Sequence, residues 1–213
     1  MEINLLENVH IKNLQNILKN LGERIEGNLI CDVTHDNFTI SRNINKIKNL
    51  QTLALGKHKI CEIGINACHS LLLMLLVNPD AEYLLFDLNN HGYTEHCLNY
   101  IKSQFPNAKI TTIFGNSVKT IYKYIMDNKS EMGTFDLCHI DGGHLYHVFS
   151  NDYHHVKFLS QENSAVIFDD FELPDIRRFL LDKINTNEII QYHHNNIIST
   201  DLHFIYYYNY HSL

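Results

Sequence analysis

Five short apolar runs, at 59–63, 83–87, 109–114, 135–140 and 165–168, are each followed by a stretch of helical character, and this alternation limits what the chain can become. Runs that stay apolar throughout belong to strands covered on both faces, and strands that alternate with helices build a parallel sheet. The helical stretches at 70–77, 94–104, 118–126, 146–159 and 174–184 supply the cover, so five β-α units predict an α/β, doubly wound fold. The rhythm then changes. Two strand-like runs, 188–192 and 202–208, are joined by a polar loop and predict a C-terminal antiparallel hairpin, giving a mostly parallel seven-stranded sheet. Upstream, Leu5, Val9, Leu14, Ile17, Leu18 and Leu21 fall near one helical face ahead of Gly22, and a second helix at 44–55 stops before Gly56. These two helices predict an N-terminal cap over 1–56, packed as one compact unit on a domain at 57–213 that carries the chemistry.

The formal net charge of -7 gives no general attraction to a polyanion, which argues against nucleic acid as a partner. The five cysteines, Cys31, Cys61, Cys68, Cys97 and Cys138, form no C-x-x-C pair and read as reduced, buried thiols. The most apolar run, 71–77, is too short to span a bilayer, and nothing at the start reads as a secretory leader. The expectation is a soluble cytoplasmic protein without a membrane partner; a homo-oligomer stays open. Fifteen histidines include the pairs His154-His155 and His193-His194, but sequence neighbours do not aim at one metal from a helix or strand, so these are expected at the surface.

In an open parallel sheet, ligands bind beyond the carboxyl ends of the strands, near the point where strand order reverses. The first tip reads EIGINACHS, Glu62 to Ser70, with Gly64 able to turn tightly and Asn66 and Ser70 able to add polar contacts. No G-x-G-x-x-G opens onto the helix, which weakens a dinucleotide reading and an NAD-dependent oxidoreductase with it. A nucleoside with a charged amino-acid tail and no phosphate fits better, and S-adenosylmethionine is such a ligand. Asp87 ends the second strand where an acid can accept both ribose hydroxyl hydrogens, and Asn116 and Ser117, after the third, are placed to meet an adenine edge.

The fourth strand ends in FDLCHIDGGH and the fifth in AVIFDDF, so Asp141, Asp169 and Asp170 crowd together if the two strands are neighbours. Three carboxylates at close range raise one another's pKa unless a cation compensates, and oxygen donors favour Mg²⁺ or Mn²⁺. The alternative is that these acids cap the helices that follow. A metal that lowers the pKa of an acceptor hydroxyl, with His144 as the base, would allow an unactivated alcohol to be methylated. His91 and Tyr93, just past Asp87, are candidates for lining the acceptor pocket.

Taken together, EIGINACHS, LLFDLNNHGY, FDLCHIDGGH and VIFDDF, in this order, resemble the class I S-adenosylmethionine-dependent methyltransferases, and more narrowly the metal-dependent O-methyltransferases of macrolide, aminocoumarin and surface-glycan sugars. The resemblance runs from about residue 57 to 170 and implies a Rossmann-like fold. It also implies Mg²⁺ at Asp141, Asp169 and Asp170, a base at His144, cofactor contacts at Glu62, Gly64 and Asp87, and a hydroxyl acceptor on a glycan or nucleotide-sugar. A catechol-type acceptor and a non-catalytic S-adenosylmethionine-binding protein are the rival readings. Two positions depart from the pattern: Cys68 stands where a second glycine is usual, and Asn116 where an acid near the adenine is usual.

Overall fold

The computed structural model describes residues 5–26, 29–30 and 40–211, so Cys31 and much of the connection between the first two helices lie outside the described residues. A 3₁₀ turn at Leu5–Glu7 leads into α1 (Val9–Leu21), which Asn8 caps by accepting the backbone N–H groups of His10 and Ile11. The helix ends at Gly22 with φ 66°, as expected for a left-handed C-cap. After α2 (Ile40–Ala54) come β1 (Lys59–Ile63), α3 (His69–Leu75), β2 (Glu82–Asp87), α4 (Gly92–Gln104), β3 (Lys109–Phe114) and α5 (Ser117–Asp127). A 3₁₀ turn at Lys129–Glu131 precedes β4 (Phe135–Ile140), α6 (Tyr146–Leu159), β5 (Ser160–Asp169), α7 (Pro174–Asn185), β6 (Ile189–Gln191) and β7 (His203–Tyr208).

The strand order is β3-β2-β1-β4-β5-β7-β6. The first five strands are parallel, and β7 runs antiparallel to both β5 and β6. The predicted hairpin is present, with β7 inserted between β5 and the edge strand β6. Winding reverses between β1 and β4, which places the switch point beside the tip of β1.

The period of two along each strand sorts the core into two layers. Ile60, Leu137, Ala165 and Ile167 face one side, against Leu14, Leu18, Ile47, Leu50 and the Leu71–Leu75 run of α3. Cys61, Cys138, Val166 and Phe168 face the other, against Ile121, Phe149, Val156 and Phe179. The predicted cap therefore helps cover one face of the sheet, because α1 and α2 share a continuous core with α3 and α4. On that same face, one step from the strand tips, Glu62 stands opposite His139 in register, both almost fully buried.

The tips of β1 and β4 meet closely. The Asp141 N–H donates to the Ile63 carbonyl at 2.9 Å, and Gly64, at φ 85°, leaves β1 so near that a Cβ would lie 1.9 Å from the Asp141 carbonyl oxygen. Gly64→Ala combines a left-handed backbone with a main-chain clash and is expected to cost more than about 2 kcal/mol of folding stability in denaturant titration. A loss below about 0.5 kcal/mol would show that the two tips can separate freely.

Candidate active site

A cavity of about 750 Å³ opens over the carboxyl ends of β1, β2, β4 and β5, within the roughly 300–1,000 Å³ usual for small-molecule sites. Its lining includes Gly64, Asn66, Ser70, Asp87, Asn116 and Ser117 at one end. Asp87 organises this end. Its Oδ2 accepts the backbone N–H groups of Ile65 at 2.9 Å and Asn66 at 3.0 Å, and its Oδ1 accepts that of Asn89 at 2.7 Å. The second tip thus braces the turn that leaves the first. Asn66 takes φ 46° and its side-chain amide donates to the Glu26 carbonyl, which ties the turn to the chain after α1. Cys68 has φ 61° and is fully buried, so it keeps the left-handed conformation a glycine would adopt there and adds a thiol to the core. Asn116 caps α5, accepting the Val118 N–H at 3.0 Å, and also borders the cavity.

Glu62 and Tyr93 lie elsewhere than the cavity wall. The Glu62 carboxylate is buried in the sheet and meets His139 Nδ1 at 3.0 Å. Tyr93 is fully buried and stacks on His91, with ring centroids 4.9 Å apart. His91 itself borders the cavity, and its Nδ1 lies 2.9 Å from Glu23 Oε1.

At the other end of the cavity are Asp141, Asp170, His144 and Lys46. None of the three acids caps a helix: the N-cap residues of α6 and α7 are Leu145 and Leu173, with no side-chain cap on either. Oxygens of Asp141 and Asp169 and a ring nitrogen of His139 all lie within 4.8 Å of one another. Lys46, reaching over from α2, forms an ion pair with Asp169 Oδ2, and His139 Nε2 stands 3.6 Å from the same oxygen. Burial and then the charge of Asp169 push the Asp141 carboxyl well up, whereas in Asp169 the pull of Lys46 and His139 overcomes burial and holds the carboxyl below its usual range. Burial also opposes charge on His139, but hydrogen bonds to Asp169 and Glu62 outweigh it and lift the imidazole to about 10. Both ring nitrogens of His139 thus face carboxylates, Nδ1 that of Glu62 and Nε2 that of Asp169.

Asp170 takes φ 57°, and its Oδ2 lies 2.8 Å from His144 Nε2. That hydrogen bond raises the His144 pKa. The Asp141-Gly142-Gly143 turn between them is packed from below. A Cβ on Gly142 would meet Ile63 at 2.9 Å and the Asp152 carboxylate at 3.1 Å.

His139, Lys46 and Asp152 were not singled out in the sequence. A signal existed for the first: an acid and a histidine at the penultimate positions of two strands otherwise apolar at their tips form a buried polar pair if the strands adjoin. Lys46 carries no such signal, since one lysine on an amphipathic helix reads as a solvated side chain. The pairs His154-His155 and His193-His194 take no part in the metal-type cluster found among the described residues.

A family model described as a methyltransferase domain matches residues 61–171, just over half of the chain. The chain is a class I S-adenosylmethionine-dependent methyltransferase. No curated protein matches it in sequence. Among solved structures, this methyltransferase is similar to a provisionally assigned caffeoyl-CoA O-methyltransferase from Staphylococcus aureus, with TM-score 0.63, 16% identity and coverage of 96% of this chain and 94% of that one. It is also similar to the TDP-rhamnose 3'-O-methyltransferase CalS11 of calicheamicin biosynthesis (0.60, 13% identity, 97% and 90% covered). A third similar structure is the O-methyltransferase TomG from Streptomyces achromogenes, solved with S-adenosylmethionine (0.59, 14%, 94% and 88%). At these identities the likeness is one of fold. No described helix of the methyltransferase is long and apolar enough to cross a membrane.

The Asp152 carboxyl, fully buried beneath the turn, is pushed up to about 7 by burial, against which only the Ser117 hydroxyl favours its charge. An acid raised on folding contributes its full stability below its unfolded value, near 3.8, and loses it as pH climbs through about 7. Asp152→Asn is therefore expected to flatten the stability-pH curve, gaining roughly 2 kcal/mol more over wild type at about pH 8 than at about pH 5. Parallel curves for the two proteins in urea titrations would contradict a buried, neutral Asp152.

Proposed function

We propose that the protein transfers the methyl group of S-adenosylmethionine to a hydroxyl of a sugar, borne by a glycan or a nucleotide-sugar, with Mg²⁺ or Mn²⁺ held by Asp141, Asp169 and Asp170. The observation that carries this reading is the presence, in one cavity, of the Asp87-braced turn and the acid cluster at the tips of β4 and β5. The donor chemistry fits a hard divalent cation. The oxygens belong to carboxylates, and Asp141, whose carboxyl is pushed up by burial and then by the charge of Asp169, would be favoured in its charged form by such an ion.

S-adenosylmethionine supplies an electrophilic methyl carbon on a positively charged sulfur, and a divalent cation at the acids would lower the pKa of an acceptor hydroxyl. Among residues bordering the cavity, Asp87 would accept the ribose hydroxyls, Asn66 and Ser70 would meet the amino-acid end, and Asn116 and Ser117 the base. Glu62 serves the site through His139, which it keeps protonated and aimed at Asp169. His144 borders the cavity just beyond the Gly142-Gly143 turn and takes the proton of the hydroxyl, with Asp170 orienting its ring. The gain comes mainly from orientation, since a sulfonium and an alkoxide neutralise each other as they react.

A sugar is favoured over a flat aromatic acceptor by the wall itself. Asn43, Lys46, His144, Asp170 and Glu172 line the cavity, whereas Phe86 is the one phenyl or phenol ring among the described lining residues. Polar groups of this kind suit several hydroxyls and offer little stacking surface. CalS11, similar in fold, is named for a sugar nucleotide acceptor.

Offered S-adenosylmethionine, Mg²⁺ and a panel of a TDP-sugar, a free glycoside and a catechol, the enzyme is expected to add 14 mass units, roughly one CH₂, to a sugar. Transfer to the catechol alone would overturn the sugar reading, and donor binding without transfer to any acceptor would overturn catalysis. His144→Ala is expected to lower kcat by about 10²–10³ and leave donor affinity unchanged. Asp87→Ala is expected to weaken donor binding at least about tenfold in calorimetry, through loss of two ribose hydrogen bonds and of the brace on the turn.

A further inference from the structure

We infer that Lys46 is the resident counter-ion of Asp169 and that the lysine and a divalent cation exclude each other from that carboxylate. The inference rests on the cation-site reading above and adds an internal competitor to it.

Lys46 is an uncommon lysine. Its side chain is only 14% exposed, it borders the cavity, and its ammonium pairs with an Asp169 carboxylate that is fully buried. Lysine on a surface helix normally keeps its ammonium in water, so burial of this one has to be compensated. The compensation comes from Asp169 first, then Asp141 and Asp170, which together hold the ammonium charged despite its desolvation. These are the same three acids expected to bind the cation.

The oxygens of Asp169 are already committed. Oδ1 accepts the Asp170 N–H at 2.9 Å, and Oδ2 faces both Lys46 and His139. A divalent ion bound to Oδ2 at its usual distance of about 2.1 Å would stand in near contact with the ammonium on the same oxygen. Two cations at such range on one fully buried carboxylate repel strongly, and one must leave. His139 cannot be the one, because its ring sits inside the sheet, 1% exposed, with the other nitrogen on Glu62. The helix backbone cannot move away either. One turn beyond Lys46, the Asn49 amide donates to the Ile198 carbonyl at 2.8 Å and its oxygen accepts the Ile198 N–H at 2.8 Å, which pins α2 to the chain leading into β7. What remains free to swing is the four-carbon stem of Lys46, which already lies along the cavity. The arrangement keeps the acid cluster neutralised in the cation-free enzyme and lowers cation affinity by the work of displacing the lysine.

Mn²⁺ binding, read from the electron paramagnetic resonance signal of the free ion, tests this in the intact protein without a methyl acceptor. Lys46→Met keeps the length of the stem, removes the charge, and is expected to bind Mn²⁺ at least about tenfold more tightly than wild type, whereas Lys46→Arg gains nothing. Equal affinity in wild type and Lys46→Met overturns the competition and leaves the cation site standing. No binding by either overturns both. Because Lys46→Met also strips a partner from a buried carboxylate, a second measurement uses wild type alone: acylation by a water-soluble succinimidyl ester, mapped by mass spectrometry. Mn²⁺ is expected to raise labelling of Lys46 several-fold relative to Lys123, which is 76% exposed. Unchanged or reduced labelling of Lys46 overturns the inference.

Discussion

The candidate active site depends on a line of alternating charges buried across the sheet: Glu62, His139, Asp169 and Lys46. A lone carboxylate as deep as Asp169 would neutralise itself by taking up a proton, since burial penalises the charged form. Here each charge has a neighbour of opposite sign, so Asp169 stays ionised, whereas burial and then the charge of Asp169 push the Asp141 carboxyl up. Register creates this line. Glu62 lies opposite His139, and Asp169 follows two residues after Ile167, the partner of His139 on β5, so all three point to one face. Only the last charge is delivered from outside the sheet, by α2.

A second constraint holds the Asp87 end of the cavity to the acid end. The Asp141 carbonyl occupies the space of a side chain at residue 64, and Asp87 grips the backbone just beyond that glycine. Three strand tips thereby share one junction, and the cavity opens directly above it. The Gly142-Gly143 turn closes against Ile63, Val148 and Asp152, so the segment leading from Asp141 to His144 is seated on packed side chains although His144 itself is exposed.

Much of the architecture was legible because parallel strands covered on both faces must be apolar throughout. The runs at 59–63, 109–114 and 135–140 coincide with β1, β3 and β4, and 146–159 with α6. β5 starts earlier than its apolar part, at Ser160, because its first residues pair irregularly with β4 and residues 161–163 are exposed. The insertion of β7 between β5 and β6 was not legible, since a hairpin signal states which strands pair with each other and not which edge they join. In the site, Asp87, Asp141, His144, Asp169 and Asp170 stood out as polar residues at strand ends. Glu62, at a strand end, and Tyr93, a candidate for the acceptor pocket, were also named, yet their side chains turn into the core.

The sequence by itself determined the order of elements, the parallel sheet and the set of acids at its carboxyl edge, since each follows from local periodicity and from where an apolar run stops. The tertiary structure alone decided which of those acids face each other and what neutralises them. Lys46 lies 123 residues before Asp169, and their pairing depends on how α2 is docked against the sheet. Charge compensation in a buried site acts over a few ångströms of space, and no spacing along the chain encodes that distance.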